Sequence, residues 1–188
     1  MTAEGSTLTG KLLIAMPNLN DPNFARTVVI LCAHSDDGAL GIIVNQPHPA
    51  TMDDVIDQLD LDWMRLQKPV VYQGGPVSLE RGFILYEKGL DFPGSLEVTP
   101  ELFMGTNPDI LKHLAESETS ESFLFALGYA GWGAGQLEME LKENSWLVCD
   151  LDRRILFDLP PSERWQAAID LLGIDLAKLV DTGGGFIN

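Results

Sequence analysis

The chain has 188 residues, 45% hydrophobic and 21% charged, which suits one globular domain and excludes a disordered chain. Acidic residues outnumber basic ones, 28 to 12, for a formal charge of -16, so direct nucleic-acid binding and anionic lipid are disfavoured. Cys32 and Cys149 lie far apart in apolar runs, which excludes a disulfide framework and suits free thiols in a reducing compartment.

Residues 1–9 read as a frayed polar start without the features of a signal peptide. No apolar run approaches the ~20 residues a membrane span needs, and the expected location is the cytoplasm. Lys11 to Met16 reads as a buried strand ended by Pro17. Asn18 to Ala25 is a polar loop in which Asp21-Pro22 initiates a turn. Arg26 to His34 is the clearest strand, rich in β-branched residues. Ser35 to Gly38 turns it into a second strand, Ala39 to Asn45, as a β-hairpin.

Gln46 to Pro49 is a loop. Thr51 and Asp54 form a capping box that starts a helix to about Leu59. Pro69 to Gln73 reads as a strand closed by Gly74-Gly75-Pro76. Gly82 to Glu87 and Ser95 to Val98 follow as strands. Asn107-Pro108 is an N-cap with proline at the first helical position, and that helix runs to about Glu116. Ser122 to Leu127 is a strand, Gln136 to Lys142 a helix, and Ser145 to Cys149 a strand. Glu163 to Leu172 has helical spacing with Gly173 as its stop, and residues 181–188 are expected to be loose. Clustered strands without βαβ alternation predict one α+β domain with a largely antiparallel or mixed sheet.

The stretch Gly128 to Glu138 holds four glycines beside Tyr129 and Trp132. Read as a loop between a strand and a helix, it leaves free N–H groups that could hold an anion. It lacks the lysine of a Walker A loop and the spacing of a dinucleotide fingerprint. The alternative, and the default, is that its glycines admit a crossing backbone.

Other chemistry is sparse. Arg26 could clamp an anion, or simply fix its loop. Cys32 and His34, two apart on one strand, would leave the same face, although apolar neighbours quiet the thiol. The histidines show no metal-ligand spacing, and neither GxSxG nor HExxH occurs.

Several segments together resemble one family. They are Leu13 to Pro17, Asp21 to Val29, His34 with Gly38 to Gly41, Val44 to Pro47, Gly74 to Val77, Gly128 to Glu138, Trp146, and Phe157-Asp158 with Trp165. In order and spacing they resemble the YqgE/AlgH family from about residue 11 to residue 174. Ala134 stands where many relatives have proline. The resemblance implies a bacterial cytosolic protein with a bifurcated, partly barrel-like sheet surrounded by helices. It supplies no reaction and no catalytic residues. A transcriptional-regulator label attached to relatives fits poorly with the acidic charge and the missing helix-turn-helix.

The resulting expectation is a non-enzymatic regulatory module that binds a small ligand or a protein partner, with no cofactor and no metal. Its candidate site residues are Asn18, Asp21, Arg26, Asn45, Gly74, Gly75, Tyr129, Gly131, Trp132 and Gln136. Their loops are expected to converge in one cleft. The alternative is an enzyme acting on a nucleotide or acidic metabolite, for which Glu138 with Arg26 is the sole titratable pair offered. Oligomeric state is open.

Overall fold

The computed structural model describes residues 7–90, 92–117 and 121–178. In chain order the elements are β1 (Leu12–Ala15), β2 (Val28–Ser35), β3 (Gly38–Ile43), α1 (Met52–Leu59), β4 (Val71–Gln73), β5 (Val77–Glu87), β6 (Leu96–Thr99) and β7 (Leu102–Gly105). There follow α2 (Pro108–Glu116), β8 (Phe123–Gly133), α3 (Gln136–Lys142), β9 (Trp146–Cys149), α4 (Arg153–Phe157) and α5 (Pro161–Leu171).

The strands form a single nine-stranded sheet, eight of them in the order β6-β7-β5-β8-β3-β2-β1-β9 and the ninth, β4, branching off at β8. Every pair is antiparallel except β4 with β8, so the domain is α+β with a large, mainly antiparallel sheet. Strand β8 is its trunk. One edge pairs with β5; the other pairs with β4 over Phe125 to Leu127 and then with β3 over Ala130 to Gly133. No ladder joins the outer strands β6 and β9, so the sheet is open, and the expected partial closure into a barrel is not seen. The backbone of β6 nevertheless leans toward the start of β1: a Cβ on Gly10 would lie 3.1 Å from the Val98 carbonyl oxygen.

Alternation of apolar side chains divides the core among the faces of this sheet. One cluster joins Leu12, Ile30 and Ile42 to Phe83, Leu85 and Met104, and α4 and α5 cap it with Ile155, Trp165 and Ile169. Helices α1 and α2 cover Ile84, Tyr86 and Phe125. Helix α3 and the loop carrying Phe24 cover Leu13, Val29 and Trp132.

Local signals set several boundaries as expected. Thr51 accepts from Asp54 N and the Asp54 carboxylate reaches back to Thr51 N, which starts α1 as a capping box. Asn107 caps α2 with Pro108 in its first turn. The β2–β3 hairpin forms, and Gly173, at φ 65°, follows Leu172, the C-cap residue of α5.

Other expectations need correction. The glycine segment is not a loop, because β8 runs through it to Gly133. Strand β7 and helix α4 were not anticipated. Of the expected frayed start, Leu8 N donates to His34 Nδ1 at 3.0 Å. Residues 1–6 and the expected loose tail at 181–188 lie outside the described residues.

A bulge changes the face of His34. The β2–β3 register slips between Leu31 and Ala33. One extra residue there reverses the alternation beyond it. Cys32 therefore joins the core with Ile30, while His34 reaches α3 on the opposite side. The expected shared face of Cys32 and His34 does not exist, and burial pushes the Cys32 thiol up to about 12.

Candidate functional site

The ten candidate residues fall into separate settings. Asn18 and Asp21 are exposed turn residues, and Asp21 Oδ1 accepts from Asn23 N at 2.9 Å. Arg26 lies at φ 55° with its guanidinium 4.9 Å from the centre of the Trp165 ring. Asn45 joins two strand ends: Oδ1 accepts from Val28 N and Nδ2 donates to Arg26 O, each at 2.9 Å. Arg26 and Asn45 thus meet, as part of a joint beneath α5.

Gly74 and Gly75 carry the chain across β8. Strands β4 and β5 lie on opposite edges of β8, and only Gly74-Gly75-Pro76 connects them. A Cβ on Gly75 would penetrate the Tyr129–Ala130 peptide unit, and one on Gly128 would penetrate Gly75 O. Packing of backbone on backbone accounts for these glycines. Gly131 is exposed and its N–H and C=O groups belong to a strand paired with Leu40. The amides expected to await an anion are largely committed to the β3 ladder, and Gly133 N donates to Gln136 Oε1 at 3.0 Å.

Trp132 and Gln136 converge on a residue that sequence reasoning missed. Glu140 Oε2 accepts from the indole nitrogens of Trp132 (2.8 Å) and Trp146 (2.9 Å), and Oε1 accepts from Gln136 Nε2 (3.1 Å). Phe24 packs against both indoles, with ring centres 6.3 and 5.6 Å away. Helical spacing could have indicated that Glu140 and Gln136 share a face; nothing local indicated that two tryptophans would reach it. Replacing Glu140 by alanine strands two indole N–H groups, and we expect a loss of about 2 kcal/mol in urea unfolding. Glu140→Gln keeps an acceptor and should lose less; equal losses would show that the indole bonds contribute little.

The expected pair of Glu138 with Arg26 does not form. Glu138 Oε1 instead lies 2.5 Å from His34 Nε2. That hydrogen bond holds the Glu138 carboxyl below its ordinary range. Because His34 Nδ1 accepts the Leu8 N–H, the neutral ring carries its proton on Nε2 and donates it to Glu138. Neither ring nitrogen is left for a substrate. Among the described residues no group of three or more His, Cys, Asp or Glu side chains could hold a metal.

Tyr129 points to a different place. Two adjoining cavities, of about 400 and 260 Å³, share Leu40 and Leu96 and form one groove where β6 faces β3. Thr9, Asp37, Glu97 and Trp132 line the first part; Arg81, Phe83, Thr106 and Tyr129 line the second. Arg81 is exposed, its guanidinium lies 5.6 Å from the Phe83 ring centre, and Phe83 meets Tyr129 edge-on at 5.5 Å. No carboxylate among the described residues pairs with Arg81. Of the ten candidates, Tyr129 and Trp132 border this groove; the other eight do not. A larger hollow, of about 700 Å³, is lined by residues 64–69, Ser117, Glu121 to Phe123 and Phe157, and none of the ten candidates borders it.

An AlgH-like family model matches residues 12–177. The chain belongs to the AlgH-like family. A UPF0301 protein of Magnetococcus marinus is 57% identical over 183 residues, covering 97% of this chain and 98% of its own length. A UPF0301 protein of Methylococcus capsulatus is 44% identical over 186 residues, with 98% and 99% covered. The solution structure of the AlgH protein from Pseudomonas aeruginosa superposes with a TM-score of 0.78 at 44% identity, over 96% of both chains. The AlgH-like match thus spans nearly every element described above, from β1 to the end of α5. Among the described residues of this AlgH-like chain no helix is long and apolar enough to cross a membrane.

Proposed function

We propose that this AlgH-like protein is a non-enzymatic, cytoplasmic binding module whose regulatory role works through the groove at Arg81 and Tyr129. The observation that carries this reading is the cation of Arg81, which no carboxylate among the described residues pairs, set over the Phe83 ring that meets Tyr129 edge-on, beside a cavity of about 260 Å³. A cation over aromatic faces suits a carboxylate or phosphate attached to a flat or apolar body. The chain as a whole carries a formal charge of -16, so an exposed arginine without a carboxylate partner is a spot suited to holding an anion. Nucleic acid remains a poor partner for the same reason. The titratable pair offered for the enzyme alternative, Glu138 with Arg26, does not form, since Glu138 bonds His34 instead.

Thermal-shift screening against nucleotides and organic acids provides the test. A ligand held only by the native state at a hundredfold excess over its Kd stabilises it by about 2.7 kcal/mol. The expected hit is an anion whose shift disappears in Arg81→Ala. It should persist in Arg154→Ala, where a surface arginine is paired locally with Asp152. A hit that survives Arg81→Ala, or a screen in which no anion shifts the melting temperature, counts against the groove.

A further inference from the structure

Strand β5 is longer than the ladder that covers it. Its partner β7 stops at Gly105, opposite Ile84, where the chain leaves through Thr106 toward α2. On that edge no strand among the described residues pairs with Val77 to Phe83. On the β8 side the register jumps from Val77 to Gly82 while β8 advances only from Tyr129 to Leu127, so Ser78 to Arg81 bulge outward. Ser78 holds φ 49°, a left-handed conformation uncommon for a residue with a side chain. Leu79 is 53% exposed and Val77 38%.

Each face of this free edge carries its own cavity, and the residues of β5 divide between them by parity. Glu80, Gly82 and Ile84 line a cavity of about 230 Å³ with Val55, Leu111 and Phe125. Its floor is apolar, and Asp54 and Glu80 supply acid at its edge. Arg81 and Phe83 line the part of the groove that holds the unpaired guanidinium. Thr106, at the end of β7, borders both cavities. An exposed edge flanked by alternating pockets is the arrangement that strand-adding recognition requires: main-chain hydrogen bonds supply affinity and alternate side chains supply specificity.

We infer that the edge of β5 over Leu79 to Phe83 accepts an extended segment of a partner protein, added in line with β7. This inference rests on the groove reading above and names the partner's chemistry. The segment carries an apolar residue, an acidic residue and a basic residue in succession. The apolar side chain enters the cavity beside Phe125, and the acidic one turns to the other face and meets Arg81. The basic one returns to the first face near Glu80 and Asp54. The charges and bulge that disfavour indiscriminate edge pairing are matched by a partner of this pattern.

The test uses the full chain and the peptide acetyl-Thr-Val-Leu-Asp-Lys-Thr-Val-amide. Amide exchange at Leu79 to Phe83 should slow on addition of the peptide, and nuclear magnetic resonance shifts should concentrate there and at Thr106. Methylating the peptide's backbone nitrogens at alternate positions should abolish binding, since side chains alone remain. Arg81→Glu should weaken binding about tenfold or more, and Asp→Lys in the peptide should restore part of that loss. Undiminished binding after N-methylation, or no binding at millimolar peptide, overturns the inference. So does slowed exchange at Leu79 to Phe83 that depends on protein concentration without peptide, which would assign the edge to a second copy. If a small anion still shifts Arg81 and Tyr129 while the peptide fails, the groove reading stands and strand addition falls.

Discussion

Gly75→Ala is expected to destabilise the fold by about 4 kcal/mol, or to prevent its accumulation, although it adds a single methyl group. The reason is the crossing of two backbones. The short link from β4 to β5 passes over β8, and a Cβ at Gly75 would overlap the carbonyl carbon and oxygen of Tyr129 and the nitrogen of Ala130. None of these atoms belongs to a flexible side chain. Tyr129 is held by Val77 on one edge of β8, and Ala130 by Gly41 on the other. Relief therefore requires breaking a ladder. Gly128 makes the reciprocal contact from below, against Gly75 O, with φ 79°.

Gly131→Ala is the matched control. A Cβ there meets only Tyr129 Cε2, at 3.3 Å, and that ring can yield. Its effect should stay within about 1 kcal/mol. Urea unfolding of both variants measures the contrast. If Gly75→Ala costs no more than Gly131→Ala, the crossing is not what these glycines serve.

The same contrast between local and distant contacts decides which features the residues reveal by themselves. Caps and turns were legible because their signals are local: Thr51 with Asp54, Asn107 with Pro108, and Gly173 each act within a few residues. The run from Gly128 to Gly133 was misread because isolated glycines favour loops, whereas pairing with β3 and with the start of β5 holds this run as strand. The bulge at Cys32 and Ala33 left no trace, since an extra residue within an apolar strand does not disturb its composition. Strand β7 is only four residues long and lies directly after a turn, too short to show alternation. Arg81 escaped notice because its neighbours in the groove, Leu96, Thr106 and Tyr129, come from three other parts of the chain. Of the ten candidates, Tyr129 lines the same cavity as Arg81.

Arg164→Met is expected to cost about 3 kcal/mol while leaving anion binding at the groove unchanged per folded molecule. Arg164 is only 4% exposed, yet no carboxylate among the described residues pairs with it. Its Nη1 donates to Val44 O at 2.7 Å and its Nε to Leu159 O at 2.9 Å, and the guanidinium lies 5.1 Å from the Tyr72 ring centre. Burial lowers its pKa from the ordinary value, but an arginine stays charged across the working range. The side chain therefore serves as a rigid fork that fastens α5 to the end of β3, beside the Asn45 and Arg26 joint. Methionine fills similar space but leaves a buried carbonyl, Val44 O, and a partly buried one, Leu159 O, without this donor; removing a desolvated charge offsets part of that loss. Lysine should recover less than half, because one ammonium cannot span both acceptors in the guanidinium's geometry. The expected fall in melting temperature for Arg164→Met is about 6–12 °C for a chain of this length. An unchanged melting temperature would mean that the fork is dispensable. Lost anion binding in a still-folded Arg164→Met protein would move the functional site from the groove to the joint beneath α5.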